Sequence, residues 1–163
     1  MMATPALAEE VRIAPGGAGH LDAAMAVMDS AFGDRFGEAW TRSQLSGILP
    51  MAGVSLTIAV DRAEKSVVGF SLVRTVADES ELLLIAVLED QQGRGIGGLL
   101  LEQFLDQARE DGVGRVHLEV RDGNPAISIY RAAGFSAVGR RRNYYHAADG
   151  KRYDAITLAL NLS

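Results

Sequence analysis

The most constraining stretch of the chain lies at its middle. An unbroken apolar run, Leu82 to Leu88, passes through Glu89-Asp90-Gln91-Gln92 into Gly93-Arg94-Gly95-Ile96-Gly97-Gly98. Beyond it, Ile96 to Glu110 has helical periodicity, with Leu99, Leu100, Phe104, Leu105 and Ala108 along one side and Glu102, Gln103, Asp106 and Arg109 along the other. A strand buried on both faces is therefore expected to feed a helix through a loop with four glycines in six residues. Glycine weakens a helix start through its backbone entropy, so such a concentration needs a reason. The first N–H groups of a helix have no internal partner and carry the positive end of its dipole. With no Cβ in the way, they form a site for a phosphate or pyrophosphate.

Three readings of the loop stay open on its letters. It fits a glycine-rich turn without a ligand. It fits the dinucleotide fingerprint G-x-G-x-x-G through Gly93, Gly95 and Gly98, with Asp122 near the ribose position. Against that reading, four polar residues separate strand from glycines, and the preceding strands form a meander rather than a βαβ array. It also fits a coenzyme A pyrophosphate loop, because Gln92 to Gly97 has the form Q/R-x-x-G-x-G/A. A Walker loop fails, since no Lys-Ser or Lys-Thr follows the glycines.

The flanking sequence predicts a mixed α/β sheet. A loose tail is expected over residues 1–9, and a single domain over 10–163. Val11 to Ala14 reads as a short strand, Leu21 to Phe32 as a helix, and Trp40 to Leu45 as the opening of a second helix capped by Thr41. Val54–Val60, Val67–Val76 and Leu82–Leu88 form an antiparallel meander joined by polar turns. After the long helix comes an alternating strand, Val116 to Val120. A helix over Pro125–Ala133 follows, capped by Asn124 and stopped by Gly134. The last two strands are Phe135–Arg141 and Ala155–Leu160.

Composition removes several classes of function. The net charge of −5 argues against a nucleic-acid surface. The absence of cysteine removes disulfides, thiolate metal sites and any acyl-cysteine intermediate. His20, His117 and His146 have no metal-ligand spacing, so no metal is expected. The first ten residues show no secretory signal, and no apolar run is long enough to cross a bilayer. The expectation is a cytoplasmic protein with no membrane partner.

The glycine-loop signature and the element order resemble the Gcn5-related N-acetyltransferase (GNAT) superfamily. A narrower likeness rests on Leu84-Ile85-Ala86-Val87, Leu118-Glu119-Val120-Arg121, Asn124, Tyr130 to Phe135, Arg141-Arg142-Asn143-Tyr144-Tyr145, Asp149-Gly150 and Asp154-Ala155-Ile156. Together these are similar to the bacterial ribosomal-protein-alanine N-acetyltransferases, the RimI family, over roughly residues 40–160. The resemblance implies the GNAT fold: a mixed, mostly antiparallel sheet flanked by helices. It implies acetyl-CoA as co-substrate and a peptide or protein N-terminus, alanine of a ribosomal protein, as acceptor. Ile85, Ala86 and Val87 would meet the pantetheine arm through backbone groups. Gln92, Gly93, Arg94, Gly95, Ile96, Gly97 and Gly98 would hold the pyrophosphate, and Asn124 would contact the coenzyme. Glu119 would be the general base and Tyr130 the general acid. One departure stands out: the family pattern has one more residue between the asparagine and the tyrosine.

These roles suit amine acetylation. An amine attacks a thioester only when neutral, and a free α-amino group has a pKa of about 7.7–8. A positioned base is worth about 10²–10⁴-fold. On its strand Glu119 shares a face with His117 and Arg121, opposite Val116, Leu118 and Val120. From spacing alone it reads first as a solvated strand carboxylate, and Tyr130 also as a packing residue beside Ile127 and Gly134. Arg140, Arg141 and Arg142 fit either an anion-binding cluster or a solvated hairpin face, and Tyr144 and Tyr145 either groove walls or sheet aromatics. Acetylation of a small-molecule amine and non-catalytic acyl-CoA binding remain the rival functions.

Overall fold

The computed structural model describes residues 5–162. Apolar periodicity of two and of 3.6 alternates along the chain as elements α1 (Pro5–Glu10), β1 (Val11–Pro15), α2 (Leu21–Ala31), α3 (Arg42–Ile48), β2 (Val54–Asp61), β3 (Val67–Val76), β4 (Glu79–Val87), α4 (Ile96–Glu110), β5 (Arg115–Arg121), α5 (Ile127–Ala132), β6 (Ser136–His146) and β7 (Arg152–Asn161). The strands form one seven-stranded sheet in the order β1-β2-β3-β4-β5-β7-β6. Every neighbouring pair is antiparallel except β4 and β5, which run parallel with α4 as their crossover. The mixed, mostly antiparallel sheet expected from the sequence is present.

Helices cover both faces. On one, Leu101, Phe104 and Leu105 of α4 pack with Val116, Leu118 and Val120 of β5, Leu158 of β7 and Tyr130 of α5. On the other, Val27 and Met28 of α2 and Leu45 and Ile48 of α3 pack on Phe70, Leu72 and Leu84. Burying a side chain of this size contributes about 1.5–3 kcal/mol. Thr41 caps α3, accepting from the Gln44 amide, while the Gln44 side chain accepts from the Thr41 N–H at 2.7 Å. No helix among the described residues is long and apolar enough to cross a membrane.

Three local expectations need correction. Pro5–Glu10 is a helix, where a loose tail was expected through residue 9; residues 1–4 lie outside the described part. The sequence of α1 is unremarkable, but Leu7 is buried with Val11, Ile96 and Leu100, so tertiary packing holds the helix. β4 is not buried on both faces. It alternates between buried and half-buried residues, because its second side forms a cleft wall. Finally, α5 begins at Ile127 rather than Pro125. The entry is a tight turn, with Ile127, Ser128 and Ile129 each donating to the carbonyl three residues back.

Candidate active site

A fault in the sheet opens the site. Leu72 pairs with Leu84 and Val73 with Leu82, which leaves Leu83 as an extra residue in β4. Such a bulge bends its strand. The parallel pairing of β4 with β5 ends at the same level, at Leu82 and Leu118. Beyond that point the strands part, so Leu83–Val87 and Glu119–Arg121 face each other across a gap without pairing. Strand edges carry N–H and C=O groups that need partners. An extended amide-bearing chain fits such a gap.

The glycine loop lies at the far end of that gap. After β4, the Gln92 side-chain amide donates to the Val87 carbonyl at 3.1 Å, and the Glu89 N–H donates to Ser30 Oγ of α2 at 2.9 Å. Gly93 and Gly95 have φ of 85° and 94°, where a side chain is strained. A Cβ added at Gly93 would meet no atom within 4 Å, so the loop backbone is bare. Gly95 sits at the N-cap and supplies no side-chain cap, which leaves the first amides of α4 free for a ligand. The start of α4 is fixed from beneath, where a Cβ on Gly69 of β3 would touch Leu100 at 3.3 Å and Ile96 at 3.4 Å.

A cleft of about 800 Å³ runs along this loop. Ile85, Ala86, Val87, Gln92, Gly93, Gly95, Ile96, Gly97, Gly98 and Asn124 all line it. These are the residues expected to meet the coenzyme, apart from Arg94. The Arg94 guanidinium instead binds Gln91 and pairs with Glu10 of α1 at 2.7 Å, outside the lining. Arg35 adds positive charge to the cleft wall, while Arg121 lies there beside Glu38, which lines the same wall. Bare helix-start amides, a glycine cradle and the Arg35 guanidinium fit the pyrophosphate and extended arm of coenzyme A.

A second, smaller cleft adjoins the first and holds Glu119, Tyr144 and Tyr145. Tyr130 lines both. Glu119 is 13 % exposed and firmly oriented. Its Oε1 accepts from Arg141 Nε at 2.8 Å, and its Oε2 accepts from the hydroxyl of Thr157, its cross-strand neighbour, at 2.7 Å. The Tyr130 ring packs edge-on to Phe135. Burial, and then the charge of Glu38, raises the pKa of its hydroxyl well above the ordinary tyrosine value, so it stays protonated. Burial and the same charge raise that of Tyr145.

Asn124 serves the chain's own structure. Its Oδ1 accepts from the Ala126 N–H at 2.9 Å, an Asx turn that stands in for the expected helix cap. Its amide donates to Glu38 Oε2 at 3.0 Å. Glu38 belongs to the α2–α3 loop, which straps across the gap. Phe36 lies under the Arg121 guanidinium at 3.7 Å, and Glu38 Oε1 stands 3.3 Å from Arg121 Nε, an ion pair without hydrogen-bond alignment. Arg140 is consumed internally by Asp122 and Asp154, at 2.9 and 2.7 Å. Among the described residues no group of three His, Asp or Glu is placed to hold a metal.

Sequence reasoning missed Glu38, Thr157 and the engagement of Arg141 with Glu119. Only strand register could have exposed the Glu119–Thr157 pair, and no local pattern marks Glu38.

A parallel strand pair splayed at a bulge, with a glycine loop heading the crossover helix, defines a class. The pattern of the acetyltransferase (GNAT) family matches residues 24–135, and the chain belongs to that family. It is 44 % identical over 95 residues to the ribosomal protein bS18-alanine N-acetyltransferase of Escherichia coli K12, covering 58 % of this chain and 64 % of that protein. It is 42 % identical over 97 residues to the N-alpha-acetyltransferase RimI of Mycobacterium tuberculosis, covering 56 % and 60 %. These alignments span less than two thirds of the relatives' own length. The crystal structure of the Escherichia coli ribosomal-protein-S18-alanine N-acetyltransferase superposes with a TM-score of 0.84 at 31 % identity, covering 94 % of each chain.

Proposed function

We propose that this chain is an acetyl-CoA-dependent N-acetyltransferase that acts on a protein N-terminal α-amine, alanine of a ribosomal protein being the acceptor its relatives' names suggest. The observation that carries this reading is the shared wall. Tyr130 borders both the glycine-loop cleft and the cleft that holds Glu119, so donor and acceptor can meet without a carrier residue. With no cysteine in the chain, direct attack in a ternary complex is the route. The described residues, α1 included, act as one catalytic domain, and the working compartment is the cytoplasm.

Acetyl-CoA supplies an acetyl group activated as a thioester. The amides of Gly93 to Gly98 hold its pyrophosphate, and the free edge of Ile85–Val87 pairs with the pantetheine arm. Glu119, its carboxylate fixed by Arg141 and Thr157, accepts a proton from the attacking amine directly or through water. A backbone N–H near Val87 steadies the developing oxyanion. Tyr130, kept protonated by burial, donates to the departing sulfur. Tyr144 and Tyr145 wall the acceptor groove.

Incubation with acetyl-CoA and an Ala-starting ribosomal peptide, read by intact mass, tests the assignment. The expected result is a gain of one acetyl group at the N-terminus. Turnover on a polyamine with none on any N-terminal peptide would move the assignment to small-molecule amines. Coenzyme binding without turnover on any amine would reduce the chain to a binding module.

A further inference from the structure

Glu38 lies where the two clefts meet, and it lines both. Its side chain is 11 % exposed, so its charge is only weakly screened by water. The field reaches into the acceptor cleft: the charge acts on the hydroxyls of Tyr130 and Tyr145, both of which line that cleft. The other charged residues lining the same cleft are Glu81 and Glu119. No Lys or Arg among the described residues lines it. The cations that balance these carboxylates, Arg121, Arg74 and Arg141, stand outside that lining. The acceptor therefore meets the negative end of each ion pair. Glu38 is also fixed in place. Gly37 before it has φ of 74° and packs directly on the His146 backbone, and Asn124 holds the carboxylate itself.

An incoming N-terminus is cationic in water at neutral pH, so it is drawn to this end of the cleft. A carboxylate on the residue behind it meets like charge in a poorly solvated space, a standard means of rejecting wrong partners. We propose that Glu38 is a specificity-determining residue that selects acceptors by charge, admitting amines followed by neutral or basic residues and rejecting those followed by an acidic one. The inference rests on the N-terminal acceptor proposed above and adds the chemistry of the residue behind it.

The test uses three peptides that differ only at the second position, Ala-Ala, Ala-Lys and Ala-Asp, with the wild-type protein and Glu38→Gln. Glutamine keeps the shape and can still accept from Asn124, but lacks the charge. In the wild type, kcat/KM for the Lys peptide should exceed that for the Asp peptide by about tenfold or more, and Glu38→Gln should shrink that ratio by about threefold or more. A merely structural role would lower all three rates together and leave the ratio intact. An equal wild-type preference, or a ratio untouched by Glu38→Gln, overturns the proposal. Peptide binding to the coenzyme-loaded protein gives the same ranking without catalysis. Charge-ranked binding with no acetylation would therefore overturn the proposed function and leave the role of Glu38 standing.

Discussion

Glu119→Gln separates a catalytic carboxylate from a structural one. The amide is isosteric: its oxygen can still accept from Arg141, and its NH2 can donate to the Thr157 hydroxyl once that hydroxyl turns to accept, so the local geometry persists. The lost ion pair involves an Arg141 side chain that is 63 % exposed. Screened pairs of this kind contribute about 0–1 kcal/mol, so the unfolding free energy should change by no more than that. The proton-accepting capacity is lost outright. A positioned base supplies about 10²–10⁴-fold, equivalent to about 3–5 kcal/mol of barrier. The variant should thus lose two to four decades of kcat, by this general-base estimate of about 10²–10⁴, while its urea midpoint barely moves and its acetyl-CoA affinity is retained. Initial rates on an Ala-starting peptide, urea unfolding and calorimetry make the comparison. A kcat within about threefold of wild type would show the carboxylate to be structural, because a base is worth far more than that. A fall in activity matched by an equal fall in stability would refute the reasoning equally.

Tyr130→Phe should lose about tenfold or more in kcat, as expected for a missing general acid. It should also flatten the alkaline loss of stability. The folded pKa of Tyr130 is raised by burial and then by Glu38, so the stability tied to its neutral form is present below the unfolded value of about 10 and drains away as pH rises beyond it. Urea midpoints measured across that alkaline range should fall less for the variant than for the wild type; parallel curves would contradict the burial argument. Gly37→Ala places a Cβ against the His146 backbone at a positive φ. The conformation alone costs about 1–2 kcal/mol, and KM for the peptide should rise more than the coenzyme affinity falls. An unchanged urea midpoint would show that the strap is loose.

Much of this architecture was legible in the sequence, wherever the signal was local. The Thr41 cap, the alternation of β5 and the amphipathic run of α4 each come from signals within one element. So does the glycine loop, since helix-start amides and missing side chains act over a few residues. What escaped was tertiary. The run Leu82 to Leu88 is apolar throughout, so no period betrays the bulge at Leu83 that frees β4 from β5. Leu7 turns an Ala-rich end into a helix only because Val11, Ile96 and Leu100 bury it. Glu38 meets Asn124 across 86 positions, and Thr157 meets Glu119 across 38. The cap and proline pattern placed the start of α5 at Pro125, and only the hydrogen bonds show the tight turn that delays it to Ile127.

The roles of Glu119 and Tyr130 depend on where the donor sits. A crystal of the protein grown with acetyl-CoA should show the pyrophosphate on the backbone amides between Gly93 and Gly98, the pantetheine amides paired to the free edge of Ile85–Val87, and the thioester beside the Tyr130 hydroxyl. Density for the coenzyme anywhere else, with the head of α4 bare, would contradict the account.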